Sequence, residues 1–302
     1  MRVDVVIPVY NGAAWIRDAV RSVLDQTVAA EKIIVVDDGS TDDTISALGR
    51  FGSKIHVVRH SENRGLPAAR NTGIRSGQSG LIAFLDADDV WARDKLERQL
   101  PEFGGNDPPG LSYTGVIDCD TALRPLRAAR TFRRRVRERV FDELFVDAFP
   151  IPPSTAIVRR SVFDACGLFD ESMLKAQDYE FWLRAAMKYS ISCLPEPLCL
   201  RRTNPESITA KSGREMHLYY SFRAFELCAQ AADRWGVALP MRVEERKILC
   251  VRRHYRDSVR WGDRDGEEFY RRKLIEAGAF STREKIFGLA VRWLVRTKKL
   301  MR

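Results

Sequence analysis

The chain has 302 residues, 45% of them hydrophobic and 30% charged, with a formal net charge of +9 at pH 7. This is the make-up of a soluble protein with one large domain, or one domain plus an appendage. Its first residues read as a strand rather than a signal peptide, and no run approaches the ~20 apolar residues of a membrane-spanning helix. The six cysteines form no CxxC pair and no His/Cys metal spacing, so a reduced, cytoplasmic chain with core thiols is expected.

In chain order, Val3 to Val9 reads as a strand that ends at the Tyr10-Asn11-Gly12 turn. Pro8 has no N–H to donate, which places it at a strand end or edge. Residues 13–24 carry apolar side chains at helical spacing (Ala13, Ile16, Ala19, Val20, Val23, Leu24). Ile33 to Val36 is a second buried strand running into Asp37-Asp38-Gly39-Ser40, where Gly39 permits a tight turn and Ser40 or Thr41 can cap a helix through Leu48. Ile55 to Val58 is a third strand. Ala68, Ala69, Thr72 and Ile74 then mark one face of a helix, which leaves Arg70 and Asn71 in need of another purpose.

Leu81 to Leu85 is a fourth apolar run, closing on Asp86-Ala87-Asp88-Asp89. Carboxylates at the C-terminal end of a buried strand stand where open α/β sheets bind ligands. Two of them two residues apart can point the same way and hold one hard divalent cation together with phosphate oxygens. An Asp-rich turn capping the next helix is the competing reading. Together the first 90 residues read β-α-β-α-β-α-β, the alternation of a mostly parallel sheet with helices on both faces.

The succession VVIPVYNG (5–12), VVDDGSTDDT (35–44), NRGLPAARNTGI (63–74) and FLDADD (84–89) resembles the nucleotide-sugar half of family 2 glycosyltransferases, which have a GT-A fold. The likeness covers residues 3–100 strongly and continues to about 205. It implies a GT-A domain over 1–205, with 1–100 as the nucleotide-sugar half and 101–205 as the acceptor half, followed by a helical region over 206–302. It also implies inverting transfer of a sugar from a nucleoside diphosphate sugar to a hydroxyl of a glycan or lipid-linked glycan. By the same resemblance, Pro8 and Tyr10 line the nucleotide pocket, with Asp37 and Asp38 at the base and Arg70 against base or phosphates. Asp86 and Asp88 then serve ribose and metal, Mn²⁺ or Mg²⁺ being equally suited to oxygen ligands.

Downstream, Trp91 to Leu100 is expected to be a helix and Leu111 to Ile117 a strand. Residues 124–139 are dense in Arg: a solvated face, a surface for an anionic acceptor or membrane, or a nucleic-acid contact, the last without any recognition motif beside it. Pro152-Pro153-Ser154 leads into another strand at Ile157. Asp178 begins a helix whose Phe181, Trp182 and Ala185 pack inward, and it is the candidate general base. A helix N-terminus favours the ionised form that a base needs, yet the same position suits a simple N-cap. The family commonly has Glu-Asp here; this chain has Gln177-Asp178. Arg201 or Arg202, after the strand over Ile191 to Leu200, matches a family position near the diphosphate or acceptor.

Helices are expected over 216–232, 241–261 and 265–278, and again from a Ser281-Thr282-Arg283-Glu284 cap to Arg302. That last helix is basic and amphipathic, suited either to packing on its domain or to an anionic bilayer at the inner face of the cell membrane. There is no QxxRW signature, which argues against a processive polysaccharide synthase. Two other readings remain at this point: a nucleotide-sugar-binding protein without transfer activity, and a nucleotidyltransferase, although Tyr10-Asn11-Gly12 is not the Gly-rich phosphate loop such enzymes usually need.

Overall fold

A computed structural model of the chain describes residues 1–126, 140–147, 149, 151–203, 213–288 and 290–291. It divides into two compact units, Met1–Lys211 and Ser212–Arg302. Most of the basic 124–139 segment and of the 281–302 tail lies outside the described residues.

In the first unit β1 (Val3–Val9), β2 (Lys32–Asp37), β3 (His56–Arg59) and β4 (Leu81–Phe84) alternate with α1 (Ile16–Leu24), α2 (Thr44–Gly49) and α3 (Leu66–Ser76). The rest of this unit adds β5 (Val90–Trp91), α4 (Lys95–Gln99), β6 (Leu111–Cys119), α5 (Phe141–Asp147), β7 (Ile157–Arg159), α6 (Arg160–Cys166), α7 (Gln177–Lys188) and β8 (Ile191–Arg202). Among the described residues these strands form one eight-stranded sheet in the order β3-β2-β1-β4-β7-β6-β8-β5. The pairs β3-β2, β2-β1, β1-β4 and β6-β8 are parallel, while β4-β7, β7-β6 and β8-β5 are antiparallel. This is the expected α/β sheet, mostly parallel and covered by helices.

Burial on both faces explains the unbroken apolar runs. Val3, Val5, Ile7 and Val9 pack with Ile16, Ala19 and Val20 of α1 on one face. Ile34 and Val36 pack with Ala69 of α3 on the other. On that second face Gly73 lies directly against Val6, where a Cβ would collide with the valine side chain. Phe84 continues the layer into an aromatic cluster, with ring centroids 5.6 Å from Phe169 and 6.2 Å from Phe163.

Pro8 sits inside central β1 rather than at a sheet edge, because the ladder it would interrupt has already ended. The β4 pairing stops at Val6↔Phe84. Val6 O accepts the Leu85 N–H on that side, whereas Val9 O accepts the Asp38 N–H on the β2 side. Strand alternation turns Pro8 the same way as Val6, past the last β4 donor.

Several local readings change. Trp91 is strand, not helix: it pairs with Cys199 of β8, and the helix starts only at Lys95. Ser40 and Thr41 do not cap α2. Ser40 Oγ accepts the Asn11 N–H, and Asp42 accepts the N–H groups of Ala13 and Thr44. These side chains tie the turn after β1 to the turn after β2. Gly39 (φ 74°) is required there, since a Cβ would meet the Glu62 backbone carbonyl carbon at 2.5 Å.

The second unit contains α8 (Arg214–Trp235), α9 (Val243–Trp261) and α10 (Arg264–Glu276). Phe225, Cys228, Tyr255 and Leu274 form its buried centre. The expected cap at 281 is present: Glu284 accepts from the Ser281 N–H and hydroxyl, and its nearly buried carboxylate also meets Arg256. Among the described residues no helix is long and apolar enough to cross a membrane. All six cysteines are buried and free.

Candidate active site

The C-terminal ends of β1, β2 and β4 bring the sequence-marked acids to one rim. Asp37, at the end of β2, is fully buried; it accepts the Ser40 N–H at 3.1 Å and pairs with Arg59 Nε at 3.0 Å. Asp38 is 3% exposed and is already occupied by protein donors. Its carboxylate accepts the Arg64 and Gly65 N–H groups at 3.0 and 2.8 Å, and lies 2.6 Å from His60 Nδ1. His60 reaches Thr72 Oγ1 at 2.9 Å with its other nitrogen. Asp38 therefore organises the loop entering α3. Sequence reasoning missed His60, and no local pattern around it marks the pairing. Pro8 is buried behind this rim, whereas Tyr10 is half exposed at its mouth.

Arg70 and Asn71 acquire their purposes here. Asn71 is 1% exposed and clamps the loop after α6: its Nδ2 donates to Phe169 O and Glu171 Oε1, both at 2.9 Å, and its Oδ1 accepts the Phe169 N–H. Arg70 is equally buried. It donates from Nη2 to Asp86 Oδ1 at 2.7 Å and lies over the Phe169 ring. Its Nε and Nη1 have no hydrogen-bond partner among the described residues.

Asp86, Asp88 and Asp89 follow β4. Asp86 and Asp88 are partly exposed, but Asp89 is 3% exposed. Asp89 accepts from Ser154 Oγ at 2.5 Å and from the Arg202 N–H at 3.1 Å. Burial pushes its carboxyl well above the usual range, and the charges of Asp88 and Asp86 add to this. Among the described residues no group of three or more His, Cys, Asp or Glu side chains is arranged to hold a metal ion. Asp86 and Asp88 offer two oxygen donors, so a hard cation held there fits only if phosphate and water oxygens complete its shell.

Asp178 occupies the first turn of α7, after Ala176 in the left-handed region at φ 53°. It is half-buried, and one oxygen accepts the Tyr179 N–H at 2.8 Å. Burial is the largest influence on its carboxyl and raises it. The Arg70 guanidinium and the Tyr179 N–H pull it back, and the Asp86 charge raises it again. The helix start is therefore not the main influence on this group; desolvation is. Gln177 is 5% exposed, so a carboxylate there would place a second buried charge beside Asp178.

Arg201 is engaged by Asp118, whereas Arg202 reaches the backbone of the loop over residues 86–89. Arg201 donates from Nε and Nη2 to Asp118 Oδ1 at 2.8 and 2.5 Å. Arg202 is 7% exposed and works as a clamp: Nη2 to Asp18, Nη1 to Asp88 O, Nε to Thr121 O, with its guanidinium over the Trp15 ring. Of the basic 124–139 segment only residues 124–126 are described, and Arg124 there pairs with Asp120.

Residues 4–167 match the family model of Glycosyl transferase family 2. The chain belongs to this family. It is 31% identical over 223 residues to an uncharacterized glycosyltransferase of Rickettsia prowazekii, covering 72% of this chain and 69% of that protein. It is 44% identical over 116 residues to a putative teichuronic acid biosynthesis glycosyltransferase of Bacillus subtilis, though this covers only 37% of this chain and 46% of that one. Its fold is similar to that of the Pyrobaculum calidifontis mannosyltransferase in complex with GDP-mannose and Mn²⁺, at a TM-score of 0.57, 19% identity, and coverage of 97% of this chain and 85% of that one. The family 2 assignment makes the chain a glycosyltransferase, and the fold resemblance agrees with its GT-A architecture.

Proposed function

We propose that the protein transfers a sugar, with inversion, from a nucleoside diphosphate sugar to a hydroxyl of a glycan or lipid-linked glycan, and that Asp178 is the general base. The observation that carries this is the convergence of three charged side chains from separate segments. Arg70 of α3 bonds to Asp86 after β4, and the charges of both act on the carboxyl of Asp178 at the head of α7.

In this reading Asp178 takes the proton from the acceptor hydroxyl as its oxygen attacks the anomeric carbon on the face opposite the leaving diphosphate. Its raised proton affinity makes it a stronger base than a solvated carboxylate, and the Arg70 guanidinium partly offsets the rise. Arg70 also has two nitrogens, Nε and Nη1, without a hydrogen-bond partner among the described residues, and their N–H groups suit a base edge or a phosphate. Asp86 and Asp88 would hold a divalent ion, Mn²⁺ or Mg²⁺, which when bound offsets the negative charge growing on the departing diphosphate. The mannosyltransferase complex with GDP-mannose and Mn²⁺ supports a donor and ion of this class. The likeness to a putative teichuronic acid enzyme supports a cell-envelope polysaccharide as acceptor. Contact of 281–302 with an anionic membrane belongs to the same proposal and rests on sequence alone.

A panel of nucleoside diphosphate sugars, scored by thermal stabilisation with and without Mn²⁺, tests the reading. A cognate donor at ~100 times its dissociation constant adds about 2.7 kcal/mol to stability. Stabilisation that depends on Mn²⁺ is expected from at least one uridine or guanosine donor; none from any donor contradicts the proposal.

A further inference from the structure

We propose that Ser154 is a positioning residue that sets the two partly exposed acids Asp86 and Asp88, through a latch between its hydroxyl and buried Asp89. Strand pairing does not fix this loop. The β4–β7 ladder ends at Ala83↔Ile157, with one further bond from the Phe84 N–H to Ala156 O. The next link outward is a side chain: Ser154 Oγ accepts the Asp86 N–H at 3.0 Å and donates its single proton to Asp89 Oδ2 at 2.5 Å. The hydroxyl has one donor and two acceptor positions, so both bonds hold together.

Each end of the latch is anchored independently. Asp89 closes a turn on Asp86 O through its own N–H at 3.0 Å, and its second oxygen accepts the Arg202 N–H. Ser154 is fully buried in the short turn Pro153–Thr155. Its carbonyl accepts Trp91 Nε1 at 2.7 Å, and the next carbonyl, of Thr155, accepts Gln99 Nε2 at 3.1 Å. The Asp88 carbonyl is held by Arg202 Nη1 at 3.1 Å. The loop bearing both acids is therefore pinned at Asp86 N, Asp88 O and the Asp89 carboxylate. Ser154 supplies the first pin and half of the third. A side chain that holds an acidic pair in one geometry reduces the ordering cost when a diphosphate and its ion bind.

The inference rests on the nucleotide-sugar reading of Asp86 and Asp88, and the test separates the two. UDP and GDP are titrated by calorimetry at a series of Mn²⁺ concentrations into wild-type protein and Ser154→Ala, and melting is followed without ligand. The expected result is a rise of about ten-fold or more in the Mn²⁺ concentration for half-maximal nucleotide binding, larger than any change in nucleotide affinity at saturating Mn²⁺. A lower melting temperature with an unchanged Mn²⁺ requirement would reduce Ser154 to a packing role and overturn the inference. Should Ser154→Ala not fold, Ser154→Cys retains the side-chain size with a weaker donor and is judged by the same two readings. Wild-type protein that binds neither nucleotide overturns the site reading along with this one. Normal wild-type binding beside an unaltered variant overturns this inference alone.

Discussion

The buried guanidinium of Arg70 holds Asp86 at 2.7 Å and sits close enough to Asp178 to lower the proton affinity of that carboxyl. In the proposed mechanism one cation thus serves both Asp86 and the base, Asp178. Replacing it by an apolar side chain of similar length removes the favourable charge while burial and the Asp86 charge remain. In Arg70→Met the Asp178 carboxyl therefore moves further up, and the rise of kcat/KM with pH shifts to higher pH. A pH–rate profile checks this; an unshifted acidic limb would separate Arg70 from the base.

Asp178 should reduce stability at neutral pH. Its folded-state carboxyl is raised by burial above the unfolded value, so its favourable contribution is fully present only below about pH 3.9 and is lost as pH rises through the folded value. Asp178→Asn removes the cost of the buried charge. Its melting temperature is expected to exceed that of the wild type at pH 7, with the gap narrowing on acidification toward pH 4. A melting series over that interval checks the sign.

Much of this could be read along the chain because local patterns carried it. Val3 to Val9, Ile33 to Val36 and Leu81 to Phe84 are strand residues buried on both faces, so each appears as a largely apolar run that stops at the site. Asp86 and Asp178 stood out because acids follow directly on a strand or open a helix. What stayed hidden depends on contacts between distant segments. His60 meets Asp38 across 22 positions, Ser154 meets Asp89 across 65, and Arg202 meets Asp18 across 184. No periodicity encodes such pairs. Trp91 is expected to open a helix running to Leu100, yet its backbone pairing with Cys199 decides otherwise.

Asn71 joins α3 to the loop at Phe169 and Glu171, which leads to Asp178, the proposed base. Removing its amide leaves the Phe169 N–H and carbonyl, both buried, without partners. Asn71→Ala is expected to cost about 1–3 kcal/mol per unsatisfied group. It should also slow transfer more than it weakens nucleotide binding, since Asp178 lies beyond the loop it holds. Denaturant melts and a comparison of kcat with donor KM check both parts.

Lys95 is fully buried, with its Nζ 2.5 Å from Gln99 Oε1 and 4.3 Å from the Trp91 ring centroid. Burial lowers its proton affinity to about 7. Its unfolded value is about 10.4, so its contribution to stability is fully present above that pH and is lost as pH falls through about 7. Between pH 7 and 9 the wild type should gain stability with rising pH, and Lys95→Met should flatten that slope. Parallel slopes in denaturant melts would contradict it.

The most direct test pairs binding with turnover in Asp178→Asn. Nucleoside diphosphate binding in the presence of Mn²⁺ is measured by calorimetry, and release of nucleoside diphosphate from the cognate sugar donor is followed in the same preparation. Binding within about three-fold of the wild type, with release slowed by at least ~10² as for loss of a general base, is the predicted result. Release at the wild-type rate by a variant that binds normally would contradict the account.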